Sequence, residues 1–243
     1  MNTLCVIPAR YASTRLPGKP LADIAGKPMI VRVCEQASKA KRLSGVIAAV
    51  DDERVYDALV AHGGKAMMTA KDHPTGTDRL AEVAAAHPEA ELIINVQGDE
   101  PLIEPALIDA LAAAFDDDPE LQMATVKSPM TDVEEMKNPN NVKVVTDKKG
   151  YALYFSRSLL PYPRENTGAV VYKHIGIYAY KRDFLLNYAK MAPTQLEQTE
   201  SLEQLRALEN GYKIKVIATD FHFVGVDTPE DLVEVNRLYK ERL

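Results

Sequence analysis

Short apolar runs alternate with longer stretches of helical spacing through the first half of the chain. Leu4-Cys5-Val6-Ile7 is apolar at every position, the pattern of a strand buried on both faces. A loop punctuated by Pro and Gly follows, from Pro8 to Pro20. Pro28 fits the first turn of a helix whose stripe is Ile30, Val31, Val33, Cys34 and Ala37. Val46 to Val50 reads as a second strand. The next helix carries Val55, Leu59 and Val60, and Gly63-Gly64 closes it. Ala66 to Met68 is a weak third strand, and Thr77 to Ala86 a helix. Leu92 to Val96 is the clearest buried strand and stops at Gln97-Gly98-Asp99-Glu100-Pro101. Pro105 to Phe115 reads as helix and Met123 to Val126 as strand. This alternation predicts βαβ units and a mostly parallel sheet. The loops after the strands then gather on one edge, where ligands of open α/β sheets bind.

From about Asn138 the pattern changes. Val142–Val145 and Ala152–Phe155 flank Asp147-Lys148-Lys149-Gly150, a hairpin signal. Residues 157 to 171 read as loop, Ile175 to Tyr180 as strand and Phe184 to Ala189 as helix. Ser201 to Asn210 reads as one helix closed by Gly211, and Ile214 to Ala218 as a strand. Thr228-Pro229-Glu230-Asp231 starts the last helix, with Thr228 as cap and Pro229 first in the helix. The expected architecture is α/β, one domain over 1–243: a mostly parallel central sheet, helices on both faces and a mixed-β insertion in the second half.

Composition narrows the function classes. The chain has 243 residues, 46% hydrophobic and 26% charged, which is ordinary for a globular protein. Its net charge of −6 argues against nucleic acid or an anionic membrane as partner. No apolar run approaches the roughly 18 residues a membrane helix needs, and the N-terminus lacks the basic start of a signal peptide. Cys5 and Cys34 form no C-x-x-C motif, so a cytoplasmic location is expected.

Three loops carry candidate chemistry. The first, Pro8 to Pro20, holds Arg10, Arg15 and Lys19 with no acid, and its small residues let backbone N–H groups approach a ligand closely. Guanidinium plus ammonium suits a polyphosphate. It is neither a Walker A loop nor a G-x-G-x-x-G turn, and a solvated basic loop would read the same way. The second, Gln97 to Pro101, sets two carboxylates past the end of the best central strand. One could hold Mg²⁺ against a triphosphate, or simply cap a helix. In the third, Gly225 to Pro229, Asp227 is a second metal ligand or plain helix capping. Asp72 to Arg79 opens a helix and could present hydroxyls and N–H groups to a base or sugar. His174, alone before a strand, reads more simply as structural. Signatures of zinc hydrolases, deaminases and serine hydrolases are missing.

Taken together these loops resemble those of the 3-deoxy-manno-octulosonate cytidylyltransferases, also called CMP-Kdo synthetases. The resemblance rests on Ile7–Pro20, Val96–Pro101 and Gly225–Asp231, and on Tyr154–Arg157, His174–Tyr178 and Ser201–Arg206, all in the same order. It implies a Rossmann-like nucleotidyltransferase fold, with 1–130 as the nucleotide-binding half and about 138–215 for sugar binding and dimerisation. It also implies a homodimer and transfer of CMP from CTP to 3-deoxy-manno-octulosonate (Kdo), for lipopolysaccharide assembly, with Mg²⁺ as cofactor. On the family pattern Arg10, Lys19 and Asp99 are catalytic, and Asp99 and Asp227 hold the metal. Pro8, Ala9, Arg10, Ser13, Lys19, Asp72 and Thr77 would bind the nucleotide. Arg79, Gln97, Arg157, His174, Tyr178, Glu203 and Gln204 would line the sugar pocket. A related sugar acid, 8-amino-Kdo or a sialic-type sugar, or a non-catalytic nucleotide binder on the same fold, are the alternatives.

Overall fold

The computed structural model describes residues 1–12, 16–165, 167–221 and 223–241. The elements in chain order are β1 (Thr3–Ala9), β2 (Asp23–Ile24), β3 (Lys27–Pro28), α1 (Met29–Ala37), β4 (Gly45–Val50), α2 (Glu53–Ala61), β5 (Ala66–Met68) and α3 (Gly76–Ala86). Then come β6 (Leu92–Asn95), α4 (Pro105–Asp117), β7 (Met123–Met130), α5 (Val133–Lys137), β8 (Lys143–Thr146), β9 (Ala152–Ser156) and β10 (Val171–Lys181). The chain ends with α6 (Arg182–Tyr188), α7 (Gln195–Glu200), α8 (Gln204–Glu209), β11 (Ile214–Ala218) and α9 (Pro229–Glu241).

The main sheet runs β11-β7-β10-β6-β1-β4-β5, and β8 and β9 branch from β10. β1 pairs parallel with β4 and β6, β4 with β5, and β7 with β11. β10 alone on this path is reversed, antiparallel to both β6 and β7. Cys5, Val6 and Ile7 are fully buried, and they alternate between two cores. Cys5 and Ile7 pack with α1, α2, α4 and α9, whereas Val6 packs with α3, α6 and α8. The continuous apolar run of β1 is therefore the signature of a sheet covered on both faces. Among the described residues no helix is long and apolar enough to cross a membrane.

Local chemistry sets several boundaries. Thr75 and Asp78 form a capping box that starts α3 one residue before the expected Thr77. Pro28 ends β3 and precedes α1 rather than opening it, with extended backbone (φ −55, ψ 141). The helix expected over 201–210 is broken: Ser201 adopts φ 51 at the end of α7, and α8 begins only at Gln204. β7 and β10 are longer than expected because Val171–Lys173 pair with Ser128–Met130, positions too polar to show an apolar period. His174 consequently lies inside β10.

β10 is bulged between Ile175 and Tyr178. Fully buried Thr125 on β7 stabilises the irregularity. Its Oγ1 lies 2.8 Å from the Ile177 carbonyl, 3.1 Å from the Ile175 carbonyl and 3.0 Å from His174 Nε2. A hydroxyl has one proton to give, so it donates to a carbonyl and accepts from the imidazole N–H. Behind this region Lys143 is fully buried, and its Nζ donates to the Asn138, Asn141 and Arg157 carbonyls. Thr125→Val keeps the shape and strands the carbonyl and the imidazole. It is expected to cost about 1–3 kcal/mol, read as a lower urea midpoint at unchanged slope.

Candidate active site

β1 and β6 are neighbours, so the loops that leave their carboxyl ends meet. A Cβ on Gly98 would stand 2.6 Å from the Pro8 carbonyl oxygen, so only glycine lets the two loops approach this closely. From the far end of the chain, Val226 N–H donates to the Asp99 carbonyl at 2.9 Å. A Cβ on Gly225 would meet Glu100 Oε1 at 3.2 Å. The backbone of Asp227 is fixed in turn by Asp231, which accepts from the Asp227 and Thr228 amides at 3.0 and 2.8 Å and forms a capping box with Thr228 at the start of α9. Asp227 is therefore held through its backbone amide by Asp231 while its carboxylate accepts from Lys19.

Lys19 joins the two acids. It begins a short 3-10 turn, Lys19–Leu21, and its Nζ lies 2.6 Å from Asp99 Oδ2 and 2.9 Å from Asp227 Oδ1. The Lys19 side chain is only 15% exposed. Burial opposes its charge, but the two carboxylates outweigh that and raise its pKa. Both acids touch one ammonium, so their oxygens are close enough to share a cation. Together with Pro8, Ala9, Arg10 and Gln97 they wall a cleft of about 360 Å³. Glu100, beside them, is pushed up to about 8, chiefly by burial and next by the charge of Asp99.

Arg10 Nη2 donates to the His73 carbonyl at 2.7 Å, which ties the first loop to the one before α3. Tyr11 N–H donates to Asp51 Oδ1 at 3.0 Å, and Asp51 Oδ2 is 3.4 Å from Arg79. Arg79 itself is fully buried and also donates to Thr69, so it braces β4, β5 and the first loop from below. Asp72 stands exposed on the loop ahead of α3. Ser13 and Arg15 lie outside the described residues.

A second cavity, of about 240 Å³, adjoins the cleft through Gln97, which lines both. Thr77, Tyr178, Glu203 and Gln204, all expected at the site, line it, together with Asn95, Met123, Tyr180 and Tyr188. Gln97 Nε2 donates to the Gly176 carbonyl at 2.8 Å, the carbonyl that the β10 bulge presents. Burial raises the pKa of Glu203, and it keeps the phenols of Tyr178, Tyr180 and Tyr188 neutral.

Arg157 and His174 are not brought into this wall. Arg157 Nε donates to the Glu200 carbonyl at 2.6 Å, Nη1 to Pro139 at 3.0 Å and Nη2 to Ser201 at 3.2 Å. It fastens β9 to the end of α7. His174 packs edge-on to Phe155, and burial pushes its pKa down to about 3, so the ring is neutral. Sequence reasoning missed Asn95, Tyr180 and Tyr188. For Asn95 the signal was present, as the single amide within the apolar run Leu92–Val96.

The comparisons with known proteins fall into line with this geometry. The chain matches the cytidylyltransferase family model over residues 4–214. The 3-deoxy-manno-octulosonate cytidylyltransferase of Fusobacterium nucleatum is 54% identical over 241 residues, covering 99% of this chain and 98% of its own. The enzyme of that name from Geobacter sulfurreducens is 53% identical over 246 residues, covering 97% and 98%. A solved CMP:2-keto-3-deoxy-manno-octonic acid synthetase complexed with CTP has a TM-score of 0.96 at 47% identity, covering 100% of both chains. The 4-diphosphocytidyl-2C-methyl-D-erythritol synthase of Anaerococcus prevotii, at 14% identity and a TM-score of 0.64, shares the fold.

The raised pKa of Glu100 makes stability depend on pH. Above the ordinary carboxylate range the unfolded chain has lost this proton while the folded chain keeps it up to about 8. Stability therefore falls as pH rises through that window, and the penalty is complete above it. Glu100→Gln is expected to flatten the slope between about pH 5 and 8 and to be the more stable form at the alkaline end. Urea titrations across that range, without divalent cation, measure both.

Proposed function

We infer the reaction from one premise: this chain belongs to the cytidylyltransferase family, and within it to the Kdo cytidylyltransferases. It transfers CMP from CTP to the anomeric hydroxyl of Kdo, giving CMP-Kdo and pyrophosphate. The observation that carries this reading is the pair of adjoining cavities. One is walled by a lysine and two carboxylates, the other by neutral hydrogen-bonding groups and Glu203, and Gln97 belongs to both.

We assign the triphosphate to the first cleft, where Pro8 and Ala9 present the end of β1 and Arg10 and Lys19 meet phosphate oxygens. Thr77 reaches the nucleotide from the adjoining wall. The sugar takes the second cavity, against Gln97, Tyr178, Glu203 and Gln204. Nucleotide contacts thus come mainly from residues 1–130. Sugar contacts are shared between that half and about 138–215. The anomeric oxygen attacks the α-phosphorus in line, and the bond to the bridging oxygen of the departing pyrophosphate breaks. Charge builds on the leaving group, and Lys19, whose protonated form its neighbours favour, offsets it. Holding both substrates across Gln97 supplies the orientation.

Asp99 and Asp227 fit a hard divalent cation. Among the described residues no set of three or more His, Cys, Asp or Glu gathers, so the donor set is two carboxylates. That suits Mg²⁺, which keeps waters and phosphate oxygens as its other ligands, better than zinc. When bound, Mg²⁺ would neutralise phosphate charge and acidify the attacking hydroxyl.

We place the homodimer contact at the groove between α5 and the 157–170 loop. It measures about 560 Å³ and is walled by Val133, Met136, Leu159, Pro161, Tyr162 and Val171. Val133 is 58% and Tyr162 81% exposed, an apolar surface that a second copy would cover.

Pyrophosphate release from each of the four nucleoside triphosphates, with and without Kdo and with and without Mg²⁺, tests the reaction. Release is expected only with CTP, Kdo and the metal together. Asp99→Asn is expected to lower kcat by about 100-fold or more while CTP still binds, since one metal ligand is worth several kcal/mol in such sites. Near-normal turnover of a folded Asn variant would remove Asp99 from this role. Tyr162→Asp is expected to halve the mass seen by sedimentation equilibrium, and an unchanged mass would move the dimer contact elsewhere.

A further inference from the structure

Asn95 is the last residue of β6, opposite Tyr178 on β10, and is 6% exposed. It lines the second cavity, and its Oδ1 is buried with no hydrogen-bond partner among the described residues. Glu203 Oε1, in the same wall, is buried in the same condition, 4.0 Å from Arg206 Nη1. The Arg206 fork is turned elsewhere, with Nε donating to Glu197 Oε2 at 2.8 Å. Gln97 donates its amide N–H to the Gly176 carbonyl, which fixes the amide orientation and leaves Oε1 as its remaining acceptor. Buried acceptors without donors are costly, and a site that keeps two, Asn95 Oδ1 and Glu203 Oε1, is built for a ligand that brings the protons. No lysine or arginine is in this described wall, whereas Arg10 and Lys19 line the neighbouring cleft.

We propose that Asn95 is a specificity-determining residue that reads a hydroxyl of the acceptor sugar through Oδ1. The hydroxyl-bearing end of the sugar acid enters the cavity beside Asn95 and Glu203, and its carboxylate faces the neighbouring cleft that holds Arg10 and Lys19. This rests on the Kdo-transfer reading and adds to it both a residue and a direction of entry. A site built to bond a substrate hydroxyl rejects the analogue that lacks it.

The test compares kcat/KM for Kdo and for four analogues, each lacking the hydroxyl at C4, C5, C7 or C8. The unaltered enzyme is expected to favour Kdo over at least one analogue by about tenfold or more. Asn95→Ala is expected to erase that preference to within about twofold and to raise KM for Kdo by about the same factor as the lost preference, with KM for CTP within about twofold. Should alanine disturb folding, Asn95→Ser, too short to reach, is expected to behave the same way. A variant that binds CTP normally yet keeps every preference overturns the role of Asn95 alone. Absence of Kdo turnover by the unaltered enzyme overturns the reaction itself, and is seen before any variant is compared.

Discussion

The site depends on one interaction, the Lys19 ammonium held between the carboxylates of Asp99 and Asp227. These partners lie 80 and 208 residues away along the chain. Two carboxylates forced together repel, and the ammonium between them turns that repulsion into a bound triad. The backbone makes the meeting possible. Gly98 lets the loop after β6 lie on the Pro8 carbonyl, and the amide of Val226 clasps the Asp99 carbonyl. Burial, and next the charge of Asp99, hold the proton on neighbouring Glu100. Next to this triad and buried, it keeps its proton up to about pH 8.

β10 lines the second cavity with Tyr178 and Tyr180 and holds Gln97, which lines both cavities. Its reversal lets the strand slot between β6 and β7, and its bulge turns the Gly176 carbonyl toward Gln97. The residue shared by both cavities is thus steadied from the second half of the chain. The bulge itself rests on the single hydroxyl of Thr125. Lys143 and Arg157 stiffen the same region from behind by donating to backbone carbonyls. Both cations serve here as struts.

Much of this was legible beforehand. The doubly buried run at Leu4–Ile7, the loops after strands and the Thr228–Asp231 cap pointed to the sheet, to the edge where the cleft lies and to the last helix. Lys19, Asp99 and Asp227 stood out because charged residues flanked buried strands or sharp turns. Less legible were the polar ends of β7 and β10, whose pairing follows from register rather than from apolar spacing. The break between α7 and α8 at Ser201 was hidden because serine carries no strong signal for positive φ. Arg79 looked like a ligand contact because the sequence cannot show that its guanidinium is wholly buried against Thr69 and Asp51.

The sequence by itself determined the α/β architecture, the order of its elements and the residue types at the strand ends, because burial and turn preferences act over a few neighbouring positions. Only the tertiary structure decided which of those residues meet. The triad, the bulge that orients Gln97 and the unpartnered oxygen of Asn95 all arise where strands distant in sequence are set side by side. That register is fixed by the packing of two whole cores against one sheet.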